Sequence, residues 1–197
     1  MTRLLLAALA VLLSGCAALV VPPEPPPEAR PVFLLDHGRH ATLVLSHPDG
    51  GLVRYAYGDL AYYGHNRVGL WRALAAVAWP TPGGLGRREL EAPASPAGVR
   101  QAVAVPIEAV HVLVVAADRA AALGARLDAR FARGYPQRRF NPWYDLVFVP
   151  DPAPYWLGNN SNLRVAAWLE ALGVEVRGGP LWSRWTVRAP GRGGRTE

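Results

Sequence analysis

The chain carries one cysteine, Cys16, in 197 residues. No disulfide can form within it, so its fold must be held by a packed apolar core. The residues before that cysteine read as an export signal: Arg3, an apolar run from Leu4 to Leu13, and the small pair Ser14-Gly15. A basic start, an apolar stretch of this length and a small-residue cleavage site are what secretion requires, and the run is short for a bilayer span. Residues 1–15 are therefore expected to be a removed signal peptide.

Leu13-Ser14-Gly15-Cys16 resembles the lipobox of bacterial lipoproteins, in which the cysteine is acylated and anchors the protein to a membrane. The resemblance implies lipidation at Cys16, a membrane as partner through that lipid, and no free thiol in the mature chain. Ala17 is not the aspartate that retains many lipoproteins in the inner membrane, so the resemblance favours the outer membrane, facing the periplasm. Residues 16–31 are proline-dominated from Val20 to Pro31 and read as an extended tether, which at ~3.1 Å per residue would span on the order of 35 Å. Residues 32–188 are then one globular domain. The Gly- and Arg-rich residues 189–197 read as a frayed tail.

Half of the residues are hydrophobic, with seven Trp and seven Tyr, which suits a globular domain with a substantial core. The formal charge is +6 and every basic residue is Arg, since the chain contains no Lys. An all-Arg, Ala-rich composition looks like codon bias, so the charge does not point to nucleic acid, and none is expected as a partner. No Walker loop, dinucleotide fingerprint, Gly-x-Ser-x-Gly elbow or zinc motif occurs, and no cofactor is expected.

Val32–Leu35, His40–Ser46 and Leu52–Tyr57 read as three strands of an antiparallel meander, the last two joined by the turn residues His-Pro-Asp-Gly-Gly at 47–51. Leu70–Trp79 reads as a helix stopped by Pro80, with loop in the Pro- and Gly-rich stretch beyond. Ala109–Ala116 reads as a buried strand, and Asp118 as the cap of an Ala-rich helix running to Arg133. Trp143–Val149 reads as extended and closed by Pro150 and Pro152. A helix from Ser161 to Leu172 is expected, with Val165, Trp168, Leu169 and Leu172 as its buried stripe and Ser161 one turn earlier on the same side. Val174–Val176 and Trp182–Val187 would close the sheet. This mixture, linked by hairpins rather than regular crossovers, predicts an α+β fold with an antiparallel sheet packed with helices.

A small polar residue aimed inward from the first turn of a core-packed helix suits a nucleophile, because the helix terminus favours developing negative charge. Ser161 occupies that place, and His40, at the start of the second strand, is the best base. Helix capping explains Ser161, Asn159, Asn160 and Asn162 equally well. A turn role explains Asp59, which follows Gly58. Asp36, His37 and His40 invite a metal reading, but their spacing falls on a turn and lacks a second cluster, so no metal site is assigned. Trp143, Trp156, Trp182 and Trp185 could stack on sugars or peptides, although packing accounts for most tryptophans in a domain of this size.

Arg-His-Ala-Thr-Leu-Val-Leu at 39–45, Tyr-Ala-Tyr-Gly-Asp at 55–59 and Tyr-Trp-Leu-Gly-Asn-Asn-Ser-Asn at 155–162, followed by a helix ending in Leu-Gly, resemble in order the blocks of the bacterial domain-of-unknown-function 2459 family. That family, of proteins often encoded near urease genes, looks like a branch of the circularly permuted papain-like amidohydrolases. The resemblance implies a permuted papain-like domain with His40 as base, Ser161 at the position of the family's cysteine nucleophile and Asp59 as a third member. Asn160, Asn162, Tyr57 and Trp156 become candidate ligand contacts. Serine in place of cysteine departs from the pattern: a thiolate can be formed before attack, whereas a hydroxyl must lose its proton during it. Two expectations follow. The first is a degenerate, non-catalytic cleft that binds a peptide, glycan or lipid fragment. The second is a serine-dependent amidase or esterase using Ser161 and His40.

Overall fold

The computed structural model describes residues 17–47, 50–64 and 79–188. Cys16, the expected signal peptide, the expected helix up to residue 78 and the tail from 189 lie outside the described residues. The fold is α+β. Seven antiparallel strands form the main sheet in the order β6-β2-β3-β4-β5-β8-β7. These are β2 (Ala29–Asp36), β3 (Ala41–Ser46), β4 (Leu52–Asp59), β5 (Thr81–Leu90), β6 (Ala109–Ala116), β7 (Arg139–Asn141) and β8 (Leu146–Tyr155). A second sheet places β1 (Ala18–Val21) between β9 (Glu175–Arg177) and β10 (Trp185–Val187). Three α-helices are described: α1 (Pro96–Ala102), α2 (Ala117–Gly134) and α3 (Ser161–Ala171).

Alternation along the strands divides the core in two. Ala41, Leu43 and Leu45 of β3 and Val53, Tyr55 and Tyr57 of β4 pack with Leu123 and Leu127 of α2 and with Val165, Trp168 and Leu169 of α3. The small sheet closes this side through Ala18, Val20 and Trp185. The opposite face has two smaller clusters. Phe33, Leu35, Val44 and Leu52 lie beneath Val99 of α1, while Ala56, Leu146 and Phe148 lie beneath Leu60, Tyr63 and Tyr144.

The expected helix from Ser161 is present with its stripe buried, and Gly173, at φ +83, ends it in the left-handed region. Four expectations are corrected. The first concerns the tether: Ala18–Val21 is a strand whose Ala18 and Val20 are buried, and Ala29–Pro31 already pair with β6. The continuous apolar run Ala18-Leu19-Val20-Val21, buried at every second residue, outweighs the prolines after it. Second, the stretch expected as loop contains the ten-residue β5. Its glycines are there for close approach: a Cβ on Gly83 would lie 2.1 Å from the Ala153 carbonyl oxygen, and one on Gly86 2.9 Å from the Phe148 ring. Third, β8 runs through both Pro150 and Pro152. β7 pairs only with Leu146–Phe148, so the rest of that edge is unpaired by β7 and can accept residues without an N–H. Fourth, Asp118 lies inside α2, whose N-cap is Ala116 with no side-chain bond.

Candidate active site

The two residues expected to do chemistry arise from different layers. His37-Gly38-Arg39-His40 is the tight turn between β2 and β3, closed by the His37 N–H donating to the His40 carbonyl at 3.0 Å. Gly38 takes φ +84, its N–H donates to Asp36 Oδ1 at 2.7 Å, and the Glu108 carboxylate packs where a Cβ would be. Glycine is thus required twice over, for the dihedral and for the space. His37 and His40 continue the β2–β3 ladder past the Asp36–Ala41 pair, so both rings leave on one face of the sheet. They stack with centroids 4.8 Å apart and planes 15° from parallel.

Counting back by twos from Val44 through Thr42, that face is the one opposite α3. Ring contacts agree: His40 meets the edges of Tyr63 at 6.0 Å and Tyr144 at 5.9 Å, and both tyrosines belong to the cluster on the opposite face. Ser161 is the first residue of α3, 5% exposed, on the side where that helix buries Val165 and Leu169. Among the described residues no hydrogen bond joins the Ser161 hydroxyl to His40 or to any other side chain. The sequence thus brings the two segments to the same end of the molecule but leaves imidazole and hydroxyl on opposite faces of the sheet.

The polar network around the turn has a direction. A carbonyl can only accept, so His37 Nδ1 carries the proton it shares with the Pro106 carbonyl at 2.7 Å. In the neutral ring Nε2 then accepts from the Thr42 hydroxyl at 3.1 Å, and Thr42 in turn accepts from Arg54 Nε at 3.3 Å. Arg54 is fully buried, and its two terminal nitrogens have no hydrogen-bond partner among the described residues. Burial, then the Arg54 charge, holds the His37 pKa at about 4. Burial, His37 and Arg54 hold that of His40 at about 3. Burial likewise lowers Arg54 itself, to about 10. Both imidazoles are therefore neutral near pH 7. His40 is too weak a base to take a serine proton efficiently, since a general base works best with a pKa near the working pH.

An open cleft of about 460 Å³ lies over this turn, lined by His37 to His40, Tyr62, Tyr63, Tyr144 and Glu108. Asp59, expected to orient His40, instead accepts the Tyr62 N–H at 2.6 Å and the Thr81 hydroxyl. It holds the single π-helical turn Leu60–Gly64 that carries Tyr63 to His40, and so shapes the cleft wall. Asn160 is the N-cap of α3, accepting from the Leu163 N–H at 3.0 Å, and is committed to the helix rather than to an oxyanion. Asn162 donates to the carbonyls of Arg39 at 3.2 Å and Leu181 at 3.4 Å, tying the histidine turn to the β9–β10 loop. Tyr57 is buried, donating to the Ala153 carbonyl at 2.8 Å beneath the Arg164 guanidinium. Trp156 is 44% exposed on the short turn before α3.

Sequence reasoning missed Arg54, Tyr63 and Tyr144. The only local signal was an arginine on the inward-facing row of a strand that otherwise reads apolar. Among the described residues no three His, Cys, Asp or Glu side chains come together as a metal site, and no helix is long and apolar enough to cross a membrane. The fold and the cleft define a mixed α+β domain with an aromatic, histidine-floored hollow at one end of its sheet. No known family model, curated protein or solved structure matches the chain.

Proposed function

We propose that the protein is a lipid-anchored cell-envelope protein, held by an acylated Cys16 at the outer membrane and facing the periplasm. Its permuted papain-like domain, of the kind the sequence resembles, binds a glycan or peptide fragment without chemical turnover. One observation carries this reading: His40 faces away from α3, stacked on His37 and edged by two tyrosines. Aromatic walls at Tyr62, Tyr63 and Tyr144, beside the polar Arg39 and Glu108, suit sugar rings or peptide planes with a few hydrogen bonds to orient them.

The serine-hydrolase reading has one fact on its side. Asn162 ties the start of α3 to Arg39, so nucleophile and base positions share an end of the sheet. The ring's orientation and its low basicity oppose it.

A fluorophosphonate probe on the folded protein decides between them. No labelling is expected, and labelling that disappears in Ser161→Ala overturns the non-catalytic reading. The binding half is tested by titrating soluble disaccharide-peptide cell-wall fragments while following the His37 and His40 ring resonances. Both should shift saturably; unmoved resonances overturn the cleft as the binding site.

A further inference from the structure

The way the chain enters the fold leaves no room for a long leash. Ala17 and Ala18 lie against the two ends of the β9–β10 loop. The Ala18 N–H donates to the Arg184 carbonyl at 2.8 Å, and the Ala17 carbonyl oxygen sits 2.6 Å from where a Gly178 Cβ would be. Cys16 is bonded to Ala17, so an acyl chain there holds this loop at the bilayer surface. The loop is shaped for such a place: Leu181 is 38% exposed and Trp182 57%. The start of α3 gathers a second apolar turn beside it. Asn162 holds the Leu181 carbonyl, and Asn160 Nδ2 donates to the Leu157 carbonyl at 3.4 Å. Leu157 and Trp156 are 45% and 44% exposed. Neither turn contains Asp or Glu, while Arg39 and Arg184 beside them are exposed.

We infer that Trp182, Leu181, Trp156 and Leu157, flanked by Arg39 and Arg184, form a docking face for an anionic lipid bilayer, seating the domain directly on the membrane that holds its anchor. This rests on the lipoprotein reading of Cys16. Tryptophan prefers the headgroup level, arginine is drawn to anionic lipid, and a second attachment strengthens what one acyl signal does alone.

The test uses the mature chain, with acylation at Cys16 checked by mass, reconstituted into phosphatidylcholine–phosphatidylglycerol vesicles. Tryptophan emission is compared with and without brominated acyl chains. Brominated lipid should quench the wild type, and Trp182→Phe should cut the quenching by about twofold, as expected for an indole at the interface. Replacing phosphatidylglycerol with phosphatidylcholine should also weaken it. Acylated protein whose quenching is unchanged by Trp182→Phe overturns the docking face and leaves the anchor standing. A mature chain without acyl groups overturns the anchor, and the inference with it. Unquenched protein that is dimeric by light scattering assigns the face to a second copy instead.

Discussion

The two faces of the main sheet are built on different physics. The face under α2 and α3 is one continuous apolar cluster from Ala18 to Trp185. The other is broken between Phe33–Val44 and Ala56–Phe148, and the break holds Arg54, Thr42 and His37 in a bonded chain. The first face is apolar at its centre, and its buried atoms without a partner among the described residues, Arg130 Nε, Asn162 Oδ1 and Arg164 Nε, belong to the helices above it. On the second, a full charge is desolvated with two of its nitrogens unpartnered among the described residues, an arrangement seldom kept for stability. The larger expense lies beside the histidine turn, where a whole guanidinium is buried.

The sharpest way to break the contrast is to damage the apolar side. Trp168, 5% exposed on the buried side of α3, should cost about 3–5 kcal/mol on Trp168→Ala, measured by urea unfolding. A loss under about 1 kcal/mol, the size of an ordinary surface effect, would show that α3 is not part of the core.

The polar side should respond to acid. His37 and His40 titrate at about 4 and about 3 in the folded protein against 6.5 when free. Between those limits the unfolded chain binds more protons, so stability falls as pH drops from 6.5 towards 3 and levels off below, by up to roughly 8 kcal/mol for the pair. Urea midpoints across this window test it, and a His37→Asn, His40→Asn double variant should flatten the curve. Arg54→Met should raise both imidazole pKa values, read by NMR, while leaving stability unchanged or slightly higher, as when a buried charge gives way to an apolar residue of similar size.

The smallest effects separate neighbours at the head of α3. Asn160→Ala should cost about 1 kcal/mol by removing the cap. Ser161→Ala, which deletes a hydroxyl with no side-chain partner among the described residues, should cost less than about 0.5 kcal/mol. Equal losses would give Ser161 a structural bond absent among the described residues.

Much of this was legible from residue pattern. The β2–β3–β4 meander followed from alternation and turn chemistry, and α3 from the spacing of Val165, Trp168, Leu169 and Leu172. What escaped depended on partners distant in the chain. β5 looked like loop because its glycines answer to Ala153 and Phe148, which no local window contains. β1 looked like tether because its partners, β9 and β10, come only at the other end of the sequence. His40 was found by its residue type, but its facing was set by the pairing of His37 with His40 across a turn. A one-residue change of register there would have sent the ring to the opposite side.

That same small sheet gives the domain an order of assembly. β1 is among its first folded segments and sits between its last two strands, so it cannot be capped on either edge until the final stretch of polypeptide has arrived. During synthesis Ala18–Val21 therefore cannot pair until both of those strands have been made. The pairing that completes the small sheet is thus the same one that draws the two ends of the folded region together.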